Sequence, residues 1–232
     1  MFFYGANPIF YTSLLLLVPA IILAIYAQYK VSSTYKKFSK KPASSGVTGA
    51  EASRRLLDEA GLGDVDIEVI PGQLSDHYDP RRRVLRLSEG VARGSSLAAL
   101  GVAAHESGHA IQHASKYVPM QIRSAVVPAA SFGSNFGPLI FFMGLIFTAF
   151  RPLMTLGIVL FTAAVLFQIV TLPVEFNASS RAMKLLQRNG LVVGSEAQGA
   201  GQVLRAAALT YVAAALMSIL MLVRMVLISR SR

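Results

Sequence analysis

Residues 152–174 read PLMTLGIVLFTAAVLFQIVTLPV, and Glu175 follows directly. The stretch carries no charge, and a helix of this length extends about 35 Å at ~1.5 Å per residue. Since the hydrocarbon core of a bilayer is ~30 Å thick, the pattern is typical of a membrane-spanning helix. Over all 232 residues, 53% are hydrophobic and 15% are charged. That composition argues against an ordinary cytosolic enzyme and excludes a disordered chain.

Three further uncharged stretches are candidate spans. Residues 8–27 lack the basic leader and the cleavage site of a signal peptide, which indicates a retained N-terminal anchor. Residues 124–150 form a second stretch, which contains proline and must begin near its N-terminal end or kink. Residues 206–223 form the last one, interrupted by Arg224; the alternative is a long helix that packs on the soluble part and lies only partly in lipid. The sequence predicts three to four spans.

Positive charge predicts the orientation in the membrane. Most of the 22 Lys and Arg residues lie within 28–123 and 175–205, and Arg151 lies in the predicted turn between two spans. Because positive residues that flank spans stay in the cytoplasm, we expect a multi-pass cell-membrane protein with both segments inside. The lipid bilayer is the expected partner of the basic excess. Nucleic acid is not, since no aromatic stacking platform accompanies the charges.

Between the first and second spans, residues 50–120 have the pattern of a small α+β domain. A polar helix is expected at 51–60 and a strand at 66–70, followed by an extended pair at 74–78 and 84–87. The next helix is expected at 98–114, capped by Ser95 or Ser96. Further on, Asn189-Gly190 is expected to end a helix and Ser195-x-x-Gln198 to cap another.

The helix predicted at 98–114 contains His105-Glu106-Ser107-Gly108-His109, an H-E-x-x-H motif. Residues i and i+4 share one face of a helix, so both imidazoles can bind one metal ion. Neutral imidazole suits Zn²⁺, and the chain has no cysteine that could supply sulfur. Glu106 then acts as the general base on the zinc-activated water. The alternative is a pair of surface histidines, which the apolar surrounding helix argues against.

A catalytic zinc site needs a third protein ligand. After Glu106 the only acids are Glu175 and Glu196, and Glu175 is the better candidate because the return span carries it back to the cytoplasmic side. The alternative for Glu175 is a charge at the lipid boundary that pairs with Arg181 or Lys184.

Other titratable residues are weaker candidates for ligands. Asp76, His77 and Asp79 lie upstream of the motif. His113 continues the histidine stripe, but three ligands on one straight helix would span about 12 Å. We interpret His113 as a residue near the cleft or a partner of Glu106. His77 or Tyr211 is a candidate oxyanion donor, although we favour a hydrogen-bonded structural role for each of them.

Five segments resemble a known family. These are Leu74–Pro80 (LSDHYDP), Leu85–Val91 (LRLSEGV), Val102–Ala114 (VAAHESGHAIQHA), Leu172–Ser179 (LPVEFNAS) and Leu204–Tyr211 (LRAAALTY). Together they resemble the YugP-type family of bacterial membrane zinc metallopeptidases. The chain is more distantly similar to HtpX-like and CAAX-prenyl endopeptidases.

The resemblance implies zinc endopeptidase activity near the membrane. In the distant relatives the third ligand lies in an E-x-x-A-D setting, which Glu175 and Ala178 match, while Ser179 stands in place of the aspartate. The usual carboxylate partner of a zinc-binding histidine is therefore missing. We expect the hydrogen bonds around the ligands to be built differently.

These observations give one predicted organisation. The fold class is mainly α, with integral membrane helices and a small α+β zincin-like metallopeptidase domain. The predicted segments are an N-terminal membrane anchor (1–29), a cytoplasmic zinc-peptidase domain (30–123), a transmembrane hairpin (124–174), cytoplasmic helices with the third zinc ligand (175–205) and a C-terminal membrane helix (206–232).

The predicted function is a gluzincin-like zinc metalloendopeptidase. His105, His109 and Glu175 bind Zn²⁺, and Glu106 is catalytic. The substrate is a protein or peptide, most simply one associated with the membrane. A membrane-protein partner or a homo-oligomer is compatible with the sequence. Two alternatives stay open: a membrane scaffold or adaptor of the same fold that regulates another protease, and hydrolysis of a non-peptide amide or lipid-linked substrate.

Overall fold

The computed structural model describes residues 8–147 and 150–231, and these form eight α-helices and one small sheet. The helices are α1 (Pro8–Leu15), α2 (Val18–Phe38), α3 (Gly49–Glu59), α4 (Glu89–Ala92), α5 (Leu97–Ala114), α6 (Val118–Ile146), α7 (Pro152–Arg188) and α8 (Ser195–Arg230). The strands are β1 (Asp66–Ile70), β2 (His77–Asp79) and β3 (Val84–Ser88).

Four helical stretches are long and apolar enough to cross a membrane: Thr12–Phe38, Val118–Ile146, Pro152–Arg188 and Ser195–Arg230. The predicted fold class, mainly α with membrane helices and a small α+β domain, is confirmed. Residues 1–7 of the predicted anchor, residues 148–149 of the predicted hairpin and Arg232 lie outside the described residues. α6 forms one helix although it contains Pro128 and Pro138.

The chain divides into two compact units. The first comprises the residues up to Tyr26 together with Ile122–Leu172 and Thr210–Arg232. Small residues let its helices approach closely: a Cβ added at Gly137 of α6 would lie 3.0 Å from the carbonyl oxygen of Gly157 on α7. Such contacts are typical of helices that pack within a membrane, where van der Waals packing drives association.

The second unit comprises Ala27–Gln121 and Pro173–Leu209 and contains the sheet, in the order β1-β3-β2. β2 and β3 pair antiparallel, as the predicted extended pair requires, but β2 begins at His77 rather than Leu74. β1 pairs with β3 in parallel, so β3 is the central strand. β2 therefore lies at one edge of the sheet.

Helix α5 lies in the core of the second unit. One apolar cluster surrounds Leu100 and includes side chains of α7 and α8, such as Leu186 and Leu204. A second cluster includes Ala103 and Ala110 of α5 together with Leu85 of β3. Because apolar neighbours cover α5 on two sides, its polar residues are held in fixed positions.

Hydrogen bonds at the N-terminal ends of α5 and α8 explain where these helices begin. Ser96 caps α5 by accepting a hydrogen bond from the backbone N–H of Ala99. Of the two predicted caps, Ser95 and Ser96, the second is therefore the one that the structure uses. The predicted cap of α8 is wrong, because Ser195 is already the first helical residue. Instead, the carboxylate of Glu196 accepts a hydrogen bond from the backbone N–H of Val193 at 3.2 Å.

Candidate metal centre

His105 and His109 lie one turn apart on α5, and their ring centroids are 4.7 Å apart with the planes nearly perpendicular. His109 is buried and His105 is largely so. The i and i+4 spacing therefore does place both imidazoles together, as the motif predicts.

Glu175 on α7 completes the cluster. Its Oε2 lies 3.2 Å from Nε2 of His105 and 3.6 Å from Nε2 of His109, and the three potential ligand atoms all lie within 4.8 Å of one another. Two donors at ~2.0–2.1 Å from one ion and at a tetrahedral angle are about 3.3 Å apart. The two separations from Glu175, 3.2 and 3.6 Å, are close to that value, so the set of two nitrogens and one carboxylate oxygen fits zinc.

Glu175 is 1% exposed, although a charge at a lipid boundary would normally reach water. Arg181, one of its expected alternative partners, donates its Nε to Oδ1 of Asn177 at 2.7 Å. The position of Glu175 beside the two imidazoles thus favours a role as a ligand.

Neutral groups hold the outer nitrogens of both imidazoles. Nδ1 of His105 lies 3.2 Å from Oγ of Ser179, and Nδ1 of His109 lies 3.0 Å from Oε1 of Gln112. Ser179 thus takes the place at which the distant relatives have aspartate. The sequence analysis missed Gln112, although its i+3 spacing from His109 on a helix was a usable signal.

Gly108 allows α5 and α7 to approach each other beside the cluster. A Cβ added at Gly108 would lie 2.9 Å from the carbonyl oxygen of Ala178, closer than side-chain carbons pack. Ala178 is itself fully buried, three residues after Glu175. The small residues at these two positions therefore set the distance between the histidines and Glu175.

Glu106 lies next to His105 in the sequence but outside the group of three donors. Its Oε2 accepts a hydrogen bond from the backbone N–H of Tyr78 on β2, at 3.1 Å. Burial raises the pKa of Glu106 above its ordinary value, and the nearby histidines only partly oppose that shift. A raised pKa is the property that a carboxylate needs to exchange protons near neutral pH.

Tyr78 connects this carboxylate to His113. The hydroxyl of Tyr78 lies 2.9 Å from Nδ1 of His113, one turn beyond His109 on α5. Burial raises the pKa of Tyr78, which keeps the hydroxyl protonated. His113 lies outside the group of three donors, and its ring contacts the hydroxyl of Tyr78, whose backbone N–H donates to Glu106. A direct partnership of His113 with Glu106 stays a prediction.

The remaining candidates lie elsewhere. Asp76 accepts hydrogen bonds from the backbone and hydroxyl of Ser88, and Asp79 forms an ion pair with Arg86. Nδ1 of His77 lies 2.8 Å from the carbonyl oxygen of Ser75, and its side chain is exposed. Tyr211 belongs to the first unit, and its role as an oxyanion donor stays a prediction.

Most of the chain is similar in sequence to known proteins. Residues 13–230 match a family described as "Putative neutral zinc metallopeptidase". The chain belongs to this family. It is also 51% identical over 213 residues to "Putative membrane protease YugP" of Bacillus subtilis (strain 168), which covers 92% of this chain and 94% of the relative. No solved structure matches the chain.

Membership in a zinc metallopeptidase family implies zinc, and the residues of this chain provide a group that could hold it. Among the described residues, His105, His109 and Glu175 form the one cluster of three or more such donors. The name of this relative and the four apolar helices agree with a multi-pass membrane protein.

Proposed function

We propose that this protein is a gluzincin-like endopeptidase in which His105, His109 and Glu175 hold Zn²⁺ and Glu106 is the general base. The convergence of the three donors, with Glu106 adjacent but outside their set, is the observation that carries the proposal. Zinc at this position would polarise the scissile carbonyl and lower the pKa of water.

The residues of the chain supply the proton transfers. The carboxylate of Glu106 accepts a proton from the attacking water and returns it to the leaving amine. The hydrogen bond from the backbone of Tyr78 fixes one carboxylate oxygen, Oε2, and burial supplies the raised pKa. A purely structural zinc site needs no such base, which favours an enzyme over a scaffold or adaptor.

We further propose that residues 30–123 and 175–205 together form a peptidase domain on the cytoplasmic side. The concentration of Lys and Arg in both segments supports this orientation. The substrate we propose is a protein or peptide close to the membrane, because the uncharged stretches within 124–174 and 206–232 flank the domain in the chain.

The test compares Glu106→Gln with wild type in detergent. Zinc content is measured by metal analysis and hydrolysis with casein. Glu106→Gln should keep its zinc and lose about 10²–10⁴-fold in activity, as loss of a general base does. Glu89→Gln is the matched control, since Glu89 pairs with Arg93 on the surface.

Full hydrolysis by Glu106→Gln would overturn the role of that residue. Stoichiometric zinc in a wild-type protein that cleaves neither casein nor a peptide library would instead favour the scaffold alternative.

A further inference from the structure

The three candidate metal ligands are connected to the rest of the second unit through a glutamine that the proposed chemistry does not use. Gln112 is 0% exposed, lies one turn after His109 and makes three contacts through its amide. We propose, on the basis of the proposed function above, that Gln112 is a positioning residue that fixes the tautomer of His109 and fastens α5 to α7 beside Glu175.

The orientation of the amide follows from its neighbours. Nε of Arg181 can only donate, so the atom of Asn177 that it meets at 2.7 Å is the oxygen Oδ1. The same oxygen lies 3.0 Å from the amide of Gln112, whose facing atom is therefore the donor Nε2. The carbonyl oxygen of Val174, 2.8 Å from this Nε2, requires a donor as well. Two independent acceptors thus turn Oε1 toward His109.

The orientation of Gln112 decides the protonation of His109. Oε1 of an amide can only accept, so Nδ1 of His109, 3.0 Å away, carries the hydrogen. In a neutral imidazole Nε2 then has the free lone pair, and Nε2 is the atom that faces Glu175 at 3.6 Å. Gln112 therefore selects the tautomer that can bind a metal ion.

The same side chain holds the two ligand helices together. Val174 immediately precedes Glu175, and Asn177 follows two residues later, so both acceptors of Gln112 flank the third donor. Because Gln112 is completely buried, no water replaces these bonds when the amide is removed. Its loss should loosen Glu175 relative to His109 at the same time as it releases the imidazole.

A neutral amide also suits the charge of the site. Glu106 and Glu175 already place two carboxylates beside the histidines. A third carboxylate in the place of Gln112 would add another negative charge to a buried cluster, at a high desolvation cost. The amide orients His109 without that cost.

The experiment measures metal binding rather than turnover. Gln112→Met keeps the approximate size of the side chain and removes all three polar contacts. We expect its affinity for Zn²⁺, measured by competition with a chromophoric chelator, to fall about 10–100-fold. The visible absorption of the Co²⁺-loaded protein should change as well, because the geometry of the ligands changes.

Two further variants separate positioning from general destabilisation. Ser53→Ala also removes a buried hydrogen bond to α5, that to the carbonyl oxygen of Ala103, but does not touch the ligands. It should bind Zn²⁺ as wild type does. Asn177→Ala removes one partner of Gln112 and should lower the affinity less than Gln112→Met. Asn177→Ala also tests the role of Gln112 if Gln112→Met does not fold.

Wild-type affinity and an unchanged Co²⁺ spectrum in Gln112→Met would overturn the inference alone. An equal loss in Ser53→Ala would overturn it too, since the effect would then be general. A wild-type protein that binds no Zn²⁺ would overturn both this inference and the proposed function.

Discussion

Gly108 provides a sharp test of how the ligand helices are spaced. In Gly108→Ala the new Cβ would lie 2.9 Å from the carbonyl oxygen of Ala178, whereas a carbon-to-oxygen contact needs about 3.3–3.6 Å. Helices α5 and α7 must therefore separate by roughly 0.4–0.7 Å. Such overpacking costs about 1–3 kcal/mol in unfolding free energy.

Gly101 on the same helix is the matched control. A Cβ at Gly101 would have its nearest contact, with the carbonyl oxygen of Ala200, at 3.6 Å, which is an ordinary distance. Both substitutions gain about 1 kcal/mol of helix propensity, so their difference isolates the overpacking. At about 2–4 °C per kcal/mol for a chain of this size, Gly108→Ala should melt roughly 2–12 °C below Gly101→Ala.

The same displacement should weaken metal binding. Ligands must be held within about 0.5 Å of their productive positions, and His109 to Glu175 is already the longer of the two donor separations at 3.6 Å. We expect Gly108→Ala to bind Zn²⁺ on the order of tenfold more weakly, a loss of about 1.4 kcal/mol. Melting at or above Gly101→Ala, with wild-type affinity for Zn²⁺, would refute the close contact of α5 and α7.

Other substitutions test the ligands, the hydrogen bonds and the orientation. Glu175→Gln should weaken Zn²⁺ binding by more than about tenfold in chelator competition, because a buried charge is lost from the site. Glu196→Gln should keep the affinity and lower the melting temperature, since its carboxylate accepts backbone hydrogen bonds. Tyr78→Phe removes the bond to His113 and should lower the unfolding free energy by about 1 kcal/mol, measured by denaturant titration, with zinc affinity unchanged. Ser45→Cys, in a chain without native cysteine, should resist an impermeant thiol reagent in intact cells.

For these substitutions, the following results would contradict the predictions. Full zinc in Glu175→Gln together with loss of zinc in Glu196→Gln would move the third ligand to Glu196. Unaltered stability of Tyr78→Phe would show that the contact with His113 contributes nothing. Labelling of Ser45→Cys in intact cells would reverse the proposed orientation.

Local features of the chain were predictable because neighbouring residues determine them. β1 has the predicted bounds, Ser96 caps α5 as one of two predicted caps, and the helix before Gly190 ends where a left-handed residue is needed. The convergence of His105 with Glu175 was also predicted, from helical spacing and the small number of acids.

Contacts between distant parts of the chain were not predictable. Nothing in the local pattern indicates that β1 pairs with β3 in parallel, because that choice depends on how the sheet packs against α5. Tyr78 and His113 are 35 residues apart, and only the folded sheet brings them together. The local pattern wrongly predicted Ser195 as the cap of α8, since the carboxylate of Glu196 accepts the hydrogen bond from the backbone of Val193 instead.

The pairing of two carboxylates with two imidazoles has a consequence for acidity. With neutral imidazoles, Glu106 and Glu175 leave two negative charges, which one divalent cation balances. Without that cation, protons balance the two negative charges. Burial lowers the pKa of His109, but the hydrogen bond with Glu175 and the charges of both carboxylates raise that pKa overall. Protons and metal therefore compete for the same nitrogen, so metal uptake releases protons and an acidic medium empties the site.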